Sequence, residues 1–176
     1  RPLPMLAQKF SEKKKKVIYP VFTQPKYDGH RMLQRDGECW TRGGKDYSAD
    51  VVKHLQIDTD GYILDGEIIL PDNVALEDTS QAVKAYKPGI SETLLYIVYD
   101  LVMDADYIER RRVLQTIVGK ANNPNIKIAP TDSAQTENEV YENHKRYTRD
   151  GFEGVIVRAR EGGYETAHRS PTLLKY

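Results

Sequence analysis

Four carboxylates lie in or beside the stretches of this chain best suited to β-structure. Asp65 and Glu67 interrupt "YILDGEIIL" (62–70), Asp100 falls near the end of "TLLYIVYDLV" (93–102), and Glu153 precedes "GVIVR" (154–158). Burying a carboxylate is costly unless a cation, a hydrogen-bond donor or a metal meets it. One acid at a strand end sits in water without difficulty. Four, each in or beside a β-rich run, call for strands that meet at a polar cleft. Asp65 and Glu67 are two residues apart, so on a strand they point to one face. A sheet presenting Glu67, Asp100 and Glu153 toward one cleft would offer hard oxygen ligands for Mg2+ and acceptors for sugar hydroxyls. Lys26, Arg31, Arg42, Arg158 and Lys175 are spread among these runs. Acids for a metal together with cations for phosphates are what a metal–nucleotide site requires.

The rest of the chain reads as a mixture of strands and helices. "VIYPVFTQP" (17–25) is extended, with Pro25 biasing Gln24 toward β geometry. Asp36-Gly37 between two short runs signals a hairpin. Helices are expected over 48–57, with Ser48 as the cap, over 74–87, stopped by Pro88-Gly89, over about 108–119, stopped by Gly119, and around 134–149. Strands are expected at 62–70, 93–102 and 153–158, and a last one in "TLLKY" (172–176). The elements do not alternate strictly, which favours α+β over a doubly wound sheet. Residues 1–20 read as a lead-in arm to one domain.

Composition narrows the function classes. Basic and acidic side chains balance at 26 each, so there is no global field for bulk nucleic-acid binding. Contacts to nucleic acid would come from patches such as "KKKK" (13–16), "RRR" (110–112) and "HKRYTR" (144–149), any one of which alone reads as a solvated face. Cys39 is the single cysteine, so no internal disulfide forms, and four scattered His do not suggest zinc. No apolar run has membrane-spanning length, and the expectation is a soluble, intracellular, cytoplasmic protein, with a nucleoid-associated or viral origin among the alternatives. Neither familiar glycine-rich phosphate loop is present, nor a nucleophile elbow.

"KYDGHR" (26–31) sets a lysine two residues from an aspartate and a glycine. The four-residue pattern arises by chance in about 4 chains in 100 of this length, so it decides nothing alone. In series with "TRGGKD" (41–46), "LDGEII" (64–69), "YIVYDLV" (96–102), "ERRRVL" (109–114), "EGVIVR" (153–158) and "LLKY" (173–176), it resembles the collinear motifs of the covalent nucleotidyltransferases, specifically the ATP-dependent DNA ligases. The resemblance runs from about residue 20 to the last. It implies mainly antiparallel sheets flanked by helices, an ATP-grasp-like nucleotidyltransferase fold with the nucleotide in a cleft between sheets.

By that resemblance Lys26 is the catalytic lysine. It would attack the α-phosphate of ATP, carry AMP on a P–N bond, and pass it to the 5′-phosphate of nicked double-stranded DNA for sealing by the 3′-OH. An amine attacks only when unprotonated, and about one free lysine in a thousand is so near neutral pH, so such a site needs cations or burial around it. Asp28-Gly29 would form the turn that aims the amine. Tyr99 matches the aromatic on one face of adenine, and Ile156 the apolar residue on the other. Glu67 matches the acid on the ribose, Glu153 the acid that helps place the metal, and Glu67 is a second metal candidate. Lys175 matches a lysine on the α-phosphate, and Pro25 and Tyr27 flank the nucleotide with Lys26. Arg31 and Arg42 match groups near the sugar or the nick phosphate. Gln24 stands where many relatives have a Glu that reads the adenine amino group, and its carbonyl can accept the same bond. Arg110 and Arg111 begin the helix after the Tyr99 strand, where a solvated helix end is an equal reading.

Residues 1–176 are expected to be one nucleotidyltransferase domain, acting as a monomer with ATP and Mg2+. The second lysine of the final motif and the OB-fold domain that follows in relatives lie outside this sequence. An isolated domain of that kind is expected to self-adenylate slowly and to seal nicks poorly. Alternatives are an RNA ligase, a capping enzyme, or a non-catalytic nucleic-acid-binding module. His30-Arg31 after the glycine departs from the K-x-D-G-S common in RNA ligases, and Glu153-Gly154 from the Asp-Gly common in capping enzymes.

Overall fold

The acid-bearing strands divide between two sheets. In the computed structural model, which describes residues 1–72 and 75–176, each sheet has five strands. The first sheet contains β1 (Leu6–Lys9), β2 (Val21–Lys26), β8 (Asp132–Ala134), β9 (Gly154–Arg158) and β10 (Arg169–Lys175), in the order β1-β10-β9-β2-β8. The second contains β3 (His30–Arg35), β4 (Glu38–Trp40), β5 (Leu64–Ile69), β6 (Leu95–Leu101) and β7 (Ile126–Ile128), in the order β4-β3-β5-β6-β7. Pairing is antiparallel except for β1 with β10 and β6 with β7. The helices are α1 (Phe10–Lys13), α2 (Ala49–Val52), α3 (Leu76–Lys84), α4 (Tyr107–Ala121) and α5 (Glu137–Arg149). The α+β expectation holds.

Strand alternation sorts the side chains. On the second sheet Met32, Leu64, Ile68, Tyr96 and Val98 turn outward and pack with Val51 and Val52 of α2, Val83 of α3 and Leu114 of α4. On the first, Val155, Val157 and Leu174 pack with Val140 and Tyr147 of α5 and with Phe10. Both cores lie on outer faces, which leaves the inner faces free to be polar. The chain crosses from one sheet to the other between Lys26, the last residue of β2, and His30, the first of β3. The Lys-Tyr-Asp-Gly stretch is that crossing.

Several local expectations are corrected. The lead-in arm is a working part of the sheet: β1 pairs with β10, and Met5 and Phe10 are buried. Helix α4 does not stop at Gly119 but at Asn122, whose left-handed backbone (φ 48°) supplies the C-cap. The expected helix at 48–57 is one α-turn, Ala49–Val52, followed by a 3-10 turn, Lys53–Leu55. Ser48 caps it through its carbonyl, not its hydroxyl. Residue 74, the first of the helix expected at 74–87, lies outside the described residues, and α3 begins at Leu76. Helix α5 starts at Glu137, later than expected, behind the N-cap Thr136, whose hydroxyl accepts from Glu139 N at 3.2 Å. The hairpin at Asp36-Gly37 forms as expected, with both residues at positive φ. Among the described residues no helix is long and apolar enough to cross a membrane.

Candidate active site

A cavity of about 480 Å³ lies between the two inner faces, at the point where the chain crosses from one sheet to the other. This is the size range of pockets that hold small organic ligands. Gln24, Pro25 and Lys26 reach it from β2, with Tyr27 from the crossing turn. Ile156 lines it from β9 and Lys175 from β10. Opposite them stand Arg31 of β3, Glu67 of β5 and Tyr99 of β6, with Arg42 exposed at the margin and Glu153 beside Lys26. The residues that the resemblance assigns to the nucleotide, the metal and the nick phosphate therefore line one cavity, whereas Asp100 does not. Register explains the first-sheet side: Gln24 pairs with Ile156, and Ile156 with Lys175, so the three side chains share a face with Lys26, two residues on.

Lys26 Nζ is 2.8 Å from Glu153 Oε2. The two are also tied through the main chain, Glu153 N donating to Lys26 O at 3.0 Å. Gly29 closes the turn against β5, where an added Cβ would stand 2.3 Å from Ile68 O. Its own N–H points to Glu67 Oε2 at 3.3 Å. Tyr27 sits edge-on to Phe152, with ring centroids 5.1 Å apart, and burial pushes its hydroxyl pKa up to about 12.

Tyr99 owes its aim to a β-bulge. Asp65 pairs with Asp100 and Gly66 with Val98, so Tyr99 is the extra residue on β6. The bulge brings the consecutive residues Tyr99 and Asp100 onto one cation: Arg158 lies 5.3 Å over the Tyr99 ring and donates to Asp100 Oδ2 at 2.6 Å. Gly66 is needed here, because a Cβ would meet Ile97 O at 2.4 Å. Tyr99 OH donates to Glu67 Oε1 at 2.9 Å, and Arg31 lies 5.5 Å over the same ring.

The four acids in or beside the apolar runs divide into two kinds. Asp65 and Asp100 are wholly buried structural pins. Asp65 accepts from Arg31 Nε and Nη2, both at 2.7 Å, and from Tyr164 OH at 2.6 Å. Asp100 accepts from Arg110 Nε at 2.8 Å and Nη2 at 3.1 Å, from Arg158, and from its neighbour's Leu101 N. The expectation that Asp100 faces the cleft as a metal ligand is corrected: it lies behind the wall, and its oxygens are held by arginines. Arg110 is likewise no solvated helix end, being 3% exposed.

Of the four, Glu67 and Glu153 line the cavity itself, with Asp28 of the crossing turn as a third acid there. Burial raises the Glu67 carboxyl to about 7, while Arg31, Tyr99 OH and Gly29 N pull it back down. Its ordinary value is 4.5. Between these two values the folded protein binds more protons than the unfolded chain, so this group's contribution to stability falls as pH rises from about 4.5 to about 7. Glu67→Gln should flatten that slope, read as the difference in urea stability between about pH 5 and about pH 8 for the two proteins. An unchanged slope would show that Glu67 titrates normally.

Among the described residues no three His, Cys, Asp or Glu side chains cluster as a metal cage. Each Glu67 oxygen already accepts a bond, whereas Glu153 is exposed and shows one partner, Lys26. A set this sparse fits Mg2+, which keeps most of its waters and takes one or two carboxylates plus substrate phosphates.

Sequence reasoning missed the floor of the site and one edge. Leu6, Ala7 and Arg169 line the cavity because the supposed arm is an edge strand. Tyr47 donates its hydroxyl to Arg31 O and also lines it. No local motif marks these residues. Arg158 was visible only as one of the interspersed cations, yet it bonds Gln24 Oε1 at 2.7 Å as well as Asp100.

Comparisons with known proteins agree with this geometry. The family model for the ATP dependent DNA ligase domain matches residues 4–176. The multifunctional non-homologous end joining DNA repair protein LigD of Mycobacterium tuberculosis is 24% identical over 162 residues, 85% of this chain. The chain spans 20% of that relative's length. Among solved structures, Chlorella virus DNA ligase-adenylate superposes with a TM-score of 0.82 at 24% identity, covering 99% of this chain and 67% of that one. Mycobacterial DNA ligase D complexed with ATP and MES gives 0.70 at 20% identity, over 99% and 59%. At these identities the superpositions establish the fold.

Proposed function

The chain belongs to the ATP dependent DNA ligase domain family, and from that premise we propose that it is the adenylating domain of a DNA ligase, with Lys26 as its nucleophile. The observation that carries this reading is the convergence of Lys26, Glu153, Glu67, Tyr99, Ile156 and Lys175 on one nucleotide-sized cavity between the sheets. The base lies between Tyr99 and Ile156, the ribose against Glu67, and the α-phosphate near Lys26 and Lys175. The Lys26 amine attacks the α-phosphorus: a P–N bond forms, the bond to the bridging oxygen breaks, and pyrophosphate leaves with the electron pair. Glu153, in contact with the amine at 2.8 Å, is the nearest acceptor for its proton. Glu153 is also the residue that would hold Mg2+, with Glu67 a weaker second. The ion, when bound, screens charge on the phosphates. Arg31 keeps two of its three nitrogens on Asp65, which fixes it as a shaped wall of the sugar site; Arg42, exposed at the margin, suits a DNA phosphate.

The second substrate is nicked double-stranded DNA, whose 5′-phosphate oxygen takes AMP from Lys26 before the 3′-OH displaces it. The domain works as an intracellular monomer within a larger ligase. Incubation with ATP and Mg2+ should release pyrophosphate from the wild type and not from Lys26→Ala, at equal ATP affinity within about threefold. Equal release from both proteins would refute Lys26 as the nucleophile.

A further inference from the structure

Gln24 is buried and its side-chain amide has one orientation only. Tyr107 OH donates to Tyr99 O at 2.6 Å and Thr131 Oγ1 donates to Ala129 O at 3.0 Å. Each hydroxyl has one proton and has spent it, so each can only accept from Gln24. Gln24 Nε2 meets them at 2.8 Å and 3.1 Å, which uses both amide protons. On the other side Arg158 Nε, which can only donate, stands 2.7 Å from Gln24 Oε1. Exchanging the amide oxygen and nitrogen would set donor against donor at Arg158 and oblige both hydroxyls to abandon their carbonyls. Arg158 is itself held by Asp100, so it does not yield.

The lock has a direction. Gln24 and Arg158 line the cavity, whereas Tyr107 and Thr131 stand behind its wall. The cavity is therefore offered a carbonyl oxygen with one lone pair left over, and no amide proton. A purine 6-amino group can donate to that oxygen. A 6-oxo group would place oxygen against oxygen. We infer that Tyr107 and Thr131 are positioning residues for nucleobase selectivity: by committing both protons of Gln24 they make the cavity take a 6-aminopurine over a 6-oxopurine. This rests on the nucleotide-binding reading above and adds residues that do not touch the nucleotide.

The test is calorimetric titration of ATP and of ITP, which carries a 6-oxo group and lacks guanine's 2-amino group, into the wild type, Tyr107→Phe and Tyr107→Phe/Thr131→Val. The wild type should bind ATP roughly tenfold or more tightly than ITP, because a mismatched buried acceptor goes unpaired. The double variant, whose amide is held by Arg158 alone, should narrow the ratio of the two affinities by roughly threefold, with Tyr107→Phe between. A ratio of affinities is insensitive to the fraction of protein folded, and Tyr107→Phe keeps the ring that packs on Phe22 should the double variant not fold. Equal affinities in the wild type, or a ratio that neither variant moves, would overturn the inference while leaving the nucleotide site standing. Binding of neither nucleotide by the wild type would instead overturn the nucleotide reading, and this inference with it.

Discussion

Arg110→Ala should destabilise the protein by about 3–5 kcal/mol, the range for stripping one partner from a buried ion pair. Asp100 is 0% exposed and has Arg110 on one side and Arg158 on the other, at 2.8 Å and 2.6 Å. With Arg110 gone, the carboxylate keeps one guanidinium and a main-chain N–H, in a place water does not reach. The loss extends further, because Arg110 Nη1 also donates to Ala105 O at 2.8 Å and Gly162 O at 2.7 Å, stitching two loops together. A domain of this size has about 5–15 kcal/mol in total, so the variant should unfold at a much lower urea concentration. A loss under about 1 kcal/mol would mean that the pair is solvated in solution, like a surface ion pair.

Gly29→Ala should slow lysine adenylation by about a hundredfold, the scale for displacing a reacting group by an ångström. The new methyl would lie 2.3 Å from Ile68 O and 2.7 Å from Ile69 Cγ2, and neither the carbonyl nor the strand that carries it can give way without breaking β5 from β3. The turn must lift, and Lys26 and the Gly29 N–H to Glu67 lift with it. Because the crossing is half-buried, stability should fall by only about 1–3 kcal/mol. Single-turnover rates and urea curves on the same preparation separate the two effects. A near-wild-type rate would show that the turn has slack and that its glycine is not there to aim the amine.

These two residues also mark what was legible in the chain. Gly29 belongs to a local pattern, and a short-range turn can be read from four consecutive letters. Strand β9 was readable as a short β-branched run, but Val155, Ile156 and Val157 are all apolar, so its buried and cavity-facing sides are told apart only by the fold. The acids in apolar strands correctly announced a polar cleft. What failed was deciding which acid faces it. Asp100 and Glu67 look alike in sequence, and the difference comes from a bulge at Tyr99 and an arginine arriving from α4, both set by tertiary pairing. The β1 strand was missed because its short run, placed between prolines and lysines, pairs only with residues more than 150 positions away. Asn122 ended α4 in place of Gly119 because it is Asn122 that takes the left-handed backbone, while Gly119 keeps the helical one.

The most direct measurement is peptide mapping by mass spectrometry of the protein after incubation with ATP and Mg2+. The expected result is a single peptide heavier by one AMP, modified at Lys26, with the adduct lost in acid as a P–N bond is and absent from Lys26→Ala. AMP on any other residue, or none on any residue while ATP binds, would contradict the assignment of this lysine as the one that carries the nucleotide.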